Sequence, residues 1–155
     1  MLFLLFHLGS DCYALDADQV VEILPRVNIR KMLRSPPGVA GTINYRGALV
    51  PVIDLSELAL GHPAAQRLST RIILARCPAA DGTPKLSGKL LGLIAERATE
   101  TMRCKPSDFA ASGIVNDGAP YLGPIATGPR GSVQQIELSK LMPASVRDAL
   151  FKQAV

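Results

Sequence analysis

The side chains able to do covalent, acid–base or metal chemistry are few and scattered. Cysteine occurs at 12, 77 and 104, and histidine only at 7 and 62. A nucleophilic thiol needs a neighbouring base, and neither His7 nor His62 lies in a recognisable catalytic signature. The odd cysteine count and the lack of a Cys-x-x-Cys pair argue against a disulfide framework or a zinc site. Cys12, Cys77 and Cys104 are therefore expected to be free, packed thiols of a reducing, cytoplasmic compartment. Asp16 and Asp18 are close in sequence, but both are helix-capping residue types and sit where a cap is needed. The chain has no phosphate-binding loop, no GxGxxG after a strand, no HExxH and no GxSxG. No catalytic residue, metal or cofactor is assigned, and a non-enzymatic protein is expected.

The remaining polar chemistry is basic. Arg26, Arg30, Lys31 and Arg34 cluster in one segment, and 17 Lys/Arg stand against 13 Asp/Glu for a net charge of +4. That balance is mild and fits an interspersed, solvated surface. A small-barrel nucleic-acid-binding protein is the alternative this cluster suggests. With no Trp and only 5% aromatics, few rings are available for base stacking, so no nucleic acid is assigned as a partner.

These groups must be positioned by short elements. Hydrophobic residues make up 48% of the 155 and charged residues 19%, which supports a packed core. The 13 glycines and 12 prolines point to many turns and hence short strands. Leu2 to Leu8 reads as a strand, Gly9-Ser10-Asp11 as a turn and Cys12 to Leu15 as its return. The apolar start lacks a basic flank and runs into this turn, so it reads as a buried strand and not as a signal peptide. No apolar run is long enough to span a bilayer. Asp16 and Asp18 before Gln19 to Leu24 predict a short amphipathic helix stopped by Pro25. Arg26 to Arg34 reads as an exposed edge strand with a loop, broken by Ser35-Pro36-Pro37-Gly38. Val39 to Tyr45 and Ala48 to Leu55 flank Arg46-Gly47 as strand, tight turn, strand, with Pro51 marking an edge or bulge. Ser56 to Leu60 is a short helix closed by Gly61. Ala64 to Ser69 is a polar connector and a candidate boundary. Arg71 to Cys77 and Leu90 to Ala95 are strands around a long loop, Pro78 to Lys89. Lys105 to Pro120 is loop-like, Tyr121 to Leu138 holds further strands, and Pro143 to Val155 forms a C-terminal helix.

The two halves of the chain repeat each other. Val39-Ala40-Gly41 aligns with Tyr121-Leu122-Gly123, and Asp54-Leu55-Ser56-Glu57-Leu58 aligns with Glu137-Leu138-Ser139-Lys140-Leu141 after a one-residue insertion at the turn. Short antiparallel strands must pair or close to protect their edges. The expected fold is mainly β: two pseudo-repeated, five-stranded, SH3-like β-barrel subdomains with short helices and a C-terminal helix. The chain would be a single domain over 1–155. The first barrel would cover about 14–65 plus C-terminal elements, and the second about 70–125, with strands exchanged between halves.

The block Gly41-Thr42-Ile43-Asn44-Tyr45-Arg46-Gly47-Ala48-Leu49-Val50-Pro51-Val52-Ile53-Asp54-Leu55 resembles the signature of the CheW-like family, G-x-x-N-x-R-G-x-x-x-P-[VI]-[VI]-D-L, at every fixed position. Phe6-His7-Leu8-Gly9, Tyr13-Ala14-Leu15-Asp16 and Val20-Val21-Glu22-Ile23 look like the family's opening hairpin and first helix. The resemblance covers essentially the whole chain and is closest up to Leu60. It departs where Gln134-Gln135 replaces the Pro51-Val52 of the first half, at the turn Gly128-Pro129-Arg130-Gly131, and in the long loop Pro78 to Lys89.

The resemblance implies a chemotaxis coupling protein without catalytic activity or cofactor. Its partners would be the regulatory domain of a CheA-type histidine kinase and the signalling tip of a methyl-accepting chemoreceptor. It would be cytoplasmic, recruited to membrane-associated receptor arrays without inserting into the membrane. Arg46 matches the family's turn arginine and Glu22 the acidic residue of its first helix, two groups that can face each other as an ion pair. Val21, Ile23, Gly41, Asn44, Tyr45 and Gly47 match neighbouring positions of the interaction region, completing the candidate protein-binding set.

Overall fold

The computed structural model describes all residues except 26, 79–85, 112, 114–116, 129–130, 143–145, 147–149 and 151–155. Among the described residues ten strands carry the fold: β1 (Leu2–Leu8), β2 (Asp11–Asp16), β3 (Val20–Pro25), β4 (Val39–Tyr45), β5 (Ala48–Asp54), β6 (Arg71–Pro78), β7 (Leu86–Arg103), β8 (Phe109–Ala110), β9 (Leu122–Gly128) and β10 (Gly131–Ile136). A short helix, α1 (Leu55–Leu60), follows β5.

The strands form two small, open barrel-like lobes that share β7. Lobe 1 runs β3-β6-β7-β5-β4, and lobe 2 runs β7-β1-β2-β10-β9-β8. The first part of β7 pairs with β6 antiparallel and with β5 in parallel through Gly92, Leu93 and Ile94. Its second part pairs with β1, Leu2 against Arg103 and Leu5 against Glu100. The change of lobe falls at an irregularity where His7 pairs with Glu96 and Arg97 takes a φ of 52°. Ala64 to Ser69 leads from α1 into β6 within lobe 1. Among the described residues neither lobe closes through a continuous ladder. In lobe 1 the chain after β3 returns to β4 by a pair of 2.9 Å backbone hydrogen bonds between Arg30 and Thr42.

Strict alternation explains how such thin lobes hold together. Leu4, Phe6 and Leu8 of β1 face a central core with Leu15, Ile73, Leu91, Leu93 and Ile136, which lies between the lobes. Phe3 and Leu5 face the opposite way, into lobe 2, with Ala14 and Val133. In β6, Ile73 and Ala75 face the central core while Ile72 and Leu74 fill lobe 1 with Ile43, Val50, Val52 and Ile94. These strands are apolar on both faces because both faces are covered.

Several expectations are corrected. The helix expected over Gln19 to Leu24 does not form: Asp16 caps a 3₁₀ turn over Ala17–Gln19, its carboxylate accepting from the Asp18 N–H at 3.0 Å, and Val20 to Pro25 are β3. The β-branched Val20, Val21 and Ile23 suit an extended chain, and pairing with β6 outweighs the capping signal. Val27 to Arg34 form no strand beyond the Arg30 bridge. Pro51 does sit at an edge, as expected: it pairs with Thr42 of β4 only, and the parallel pairing of β5 with β7 begins one residue later at Val52. The returning strand extends well beyond Leu90 to Ala95, and of the expected loop 78–89, residues 79–85 lie outside the described residues. Lys105 to Pro120 contains a 3₁₀ turn at Pro106–Asp108 and the short β8. The expected C-terminal helix lies largely outside the described residues; Val146 and Leu150 pack against the central core.

Candidate functional site

The signature block folds into the β4–β5 hairpin, and most of its fixed residues have a backbone reason. Tyr45 pairs with Ala48, leaving Arg46 and Gly47 as a two-residue turn with φ of 51° and 85°. Positive φ at both positions is the conformation that matches the twist of the flanking strands. The Asn44 side chain fixes this turn by accepting from the Gly47 N–H at 3.0 Å. Gly41 has a φ of 148°, and a Cβ there would lie 2.0 Å from the Arg30 carbonyl oxygen. Asp54 caps α1 by accepting from Ser56 and Glu57 N–H at 3.0 and 3.2 Å, and its second oxygen accepts from Ala64 N–H at 2.9 Å.

Arg46 therefore stands exposed at the tip of a rigid hairpin. Its guanidinium carbon lies 5.2 Å from the centre of the Tyr45 ring, within cation–π range. The Tyr45 hydroxyl in turn donates to the Glu22 carboxylate on β3. That hydrogen bond, together with burial, raises the Tyr45 phenol above its ordinary value, against the smaller opposing effect of the Arg46 charge. The direct Glu22–Arg46 ion pair implied by the resemblance is not formed in the described structure; Tyr45 stands between the two charges. The result is an ordered row of carboxylate, phenol and guanidinium that ties the ends of lobe 1, β3 and β4, to each other.

Val21 and Ile23 are not core residues. β3 alternates, turning Val20, Glu22 and Leu24 inward and leaving Val21 and Ile23 about 39% and 41% exposed. Sequence reasoning missed Leu49, which is 74% exposed directly opposite Asn44. The strand period would have found it, because residues paired across a hairpin share a face. Val21, Ile23 and Leu49 are thus exposed apolar side chains on the outer surface of lobe 1, a kind of surface that suits protein recognition.

Among the described residues the groups with chemical potential do not come together in one cluster. His7 and Cys12 are register partners in β1 and β2. Among the described residues Cys12 and Cys104 form no disulfide, and the side chain of Cys77 lies outside the described residues. Burial, followed by a hydrogen bond donated to Asp108 at 3.4 Å, pushes the Cys104 thiol above its ordinary value, the reverse of an activated nucleophile. Among the described residues no group of His, Cys, Asp or Glu is arranged to hold a metal ion. His62 is exposed, and Arg30, Lys31 and Arg34 are exposed along the segment before β4. No helix among the described residues is long and apolar enough to cross a membrane.

Two open β lobes sharing one long strand, with a rigid signature hairpin displayed on one of them, define a β-rich module built to present a surface. Residues 2–145 match the family model described as the CheW-like domain. The chain belongs to the CheW-like family. It is 38% identical over 53 residues to the chemotaxis protein CheW of Klebsiella aerogenes, covering 34% of this chain and 32% of that protein. It is 28% identical over 108 residues to the chemotaxis protein CheW of Helicobacter pylori, covering 69% of this chain and 59% of that one. The alignments thus span less than two thirds of these relatives' lengths. The crystal structure of the scaffolding protein TtCheW from Thermoanaerobacter tengcongensis is similar with a TM-score of 0.78 at 25% identity, over 94% of this chain and 89% of that one.

Proposed function

We propose that this chain is a non-catalytic adaptor of a chemosensory complex, coupling the signalling tip of a methyl-accepting chemoreceptor to the regulatory domain of a CheA-type histidine kinase. The observation that carries the reading is the β4–β5 hairpin. It keeps every fixed signature residue and presents Arg46 at the tip of a turn fixed by Asn44, with its guanidinium carbon 5.2 Å from the centre of the Tyr45 ring. Family membership and the likeness to a scaffolding protein support it. The mechanism is multivalent binding: one surface holds the kinase and another the receptor, so each raises the local concentration of the other. The protein works in the cytoplasm and reaches the membrane only through receptor arrays.

Glu22, Arg46, Val21, Ile23 and Asn44, with Tyr45 as the brace and Gly41 and Gly47 as the backbone supports, form the docking region at this end of lobe 1, with Glu22 on the inner side of β3 and Val21 and Ile23 on its outer side. Replacing Arg46 with Glu leaves the fold within about 0.5 kcal/mol, because the residue is exposed. It weakens binding, because a reversed charge at a docking surface adds repulsion to the lost attraction. Calorimetry against the kinase and the receptor fragment encoded in the same genome tests this, with Glu22→Arg and the double variant measuring coupling. Normal binding of both partners by folded Arg46→Glu removes Arg46 from the interface.

A further inference from the structure

Among the described residues the non-glycine positions with positive φ are all arginines: Arg34 at 53°, Arg46 at 51° and Arg97 at 52°. Left-handed backbone is unfavourable for a residue with a Cβ, and it persists where the surroundings hold it, often at working surfaces. Arg46 is the arginine of the signature hairpin. Arg34 belongs to the segment before β4, which is tied at both ends. Arg30 exchanges two 2.9 Å backbone hydrogen bonds with Thr42; the Val39 N–H donates to the Pro36 carbonyl at 3.0 Å, and the Asp54 N–H to the Gly38 carbonyl at 2.8 Å. Between these ties Lys31, Met32, Leu33 and Arg34 are all exposed, Leu33 to 92%. An open groove of about 840 Å³ lies beside them, with Val27, Ile29, Met32 and Pro63 among its apolar walls. Its charged lining residues are Lys31, Asp54 and Glu57. Asp54 is buried and gives both carboxylate oxygens to backbone N–H groups. The accessible charge is therefore Arg30, Lys31 and Arg34 against the half-buried Glu57. This surface is distant from Arg46. The hairpin turn follows one end of β4 and Gly38 precedes the other, and the seven residues of β4 span roughly 20 Å.

We propose that residues 30–34 and the adjoining groove form a second protein-docking surface, which takes an acidic segment of one partner, an apolar side chain of it lying against Met32 and Leu33 while its carboxylates meet Arg30, Lys31 and Arg34. The proposal rests on the adaptor reading, which requires two surfaces that do not overlap. Charge complementarity selects an acidic polypeptide. Nucleic acid fits less well, because residues 27–35 contain no aromatic side chain for base stacking. Two projecting apolar side chains with three cations also fall short of stable anchoring on a lipid surface.

The test is calorimetry of the whole chain against the kinase regulatory domain and the receptor fragment encoded in the same genome, with a thermal melt of each variant. Lys31→Ala/Arg34→Gly removes two charges and places glycine at the left-handed position, so it should melt no lower than the wild type. It should weaken one partner about tenfold and leave the other within about twofold. Leu33→Asp should weaken the same partner. Glu57→Lys should tighten that partner several-fold, a gain that structural damage does not imitate. Unchanged binding of both partners by Lys31→Ala/Arg34→Gly overturns the proposal and leaves the adaptor reading standing. So does equal loss of both partners, weaker binding by Glu57→Lys, or a segment that captures single-stranded DNA or phosphatidylglycerol vesicles in place of either protein. Failure of the wild type to bind either partner overturns the adaptor reading and this proposal together.

Discussion

Gly41→Ala is the sharpest structural perturbation available in the signature hairpin. The new methyl would sit 2.0 Å from the Arg30 carbonyl oxygen and 2.8 Å from its carbonyl carbon, and both are backbone atoms. No side-chain rotation relieves that contact, so the Arg30 segment must leave β4. Its departure breaks the two 2.9 Å hydrogen bonds between Arg30 and Thr42, worth about 1 kcal/mol each. A φ of 148° at a residue with a Cβ adds about 1–3 kcal/mol of strain. The sum is about 3–5 kcal/mol, a large share of the roughly 5–15 kcal/mol that holds an ordinary domain folded. For a chain of this size it corresponds to a melting temperature lower by about 6–20 °C. Gly47→Ala is the internal control: its φ is also positive, at 85°, but nothing lies within 4 Å of the added methyl, so only about 1 kcal/mol of backbone strain is expected. Thermal melts and urea titrations of the two variants measure the difference. If Gly41→Ala melts as high as Gly47→Ala, the close approach of Arg30 to β4 does not limit this position and the reasoning fails.

Two further outcomes follow from the same region. The Tyr45 phenol is raised first by its hydrogen bond to Glu22, so the folded state favours the protonated form; that stabilisation is complete below the ordinary tyrosine range and lost as pH rises through the higher folded value. Ultraviolet difference titration should find a phenol with a lower pKa in Glu22→Gln than in the wild type, and Tyr45→Phe should remove that transition. Asp54→Ala leaves three backbone N–H groups, of Ser56, Glu57 and Ala64, without their acceptor; a cost of about 2 kcal/mol should appear in chemical denaturation, and an unchanged midpoint would mean that α1 does not need its cap.

The hairpin was legible in the sequence because its constraints are local. Gly47 and Arg46 must take positive φ in a two-residue turn, Asn44 is three residues from the amide it fixes, and Asp54 is two and three residues from those it caps. β3 was not legible because its determinants conflict locally: Asp16 and Asp18 announce a helix, whereas the pairing that makes Val20 to Pro25 extended comes from β6, some fifty residues away. The same distance hid the exposure of Val21 and Ile23, whose period-2 face shows only once the segment is a strand. The length of β7 was underestimated because Glu96, Arg97, Glu100 and Arg103 look like loop residues, yet they serve one edge of lobe 2. At the candidate site, residue identities were readable but their wiring was not. Placing Tyr45 between Glu22 and Arg46 requires β3 and β4 to meet at the lobe's open seam, which no local pattern records.

The central claim is that this chain joins a receptor to a kinase. Its most direct test is co-sedimentation of the CheA-type kinase with vesicles bearing the chemoreceptor, both from the same genome, with the chain absent, present, or present as Arg46→Glu. The account predicts that the kinase pellets with the vesicles only when the wild-type chain is present, and that Arg46→Glu lowers the pelleted kinase severalfold while remaining folded. Equal pelleting of the kinase with and without the chain, or a chain that associates with neither partner, would contradict it.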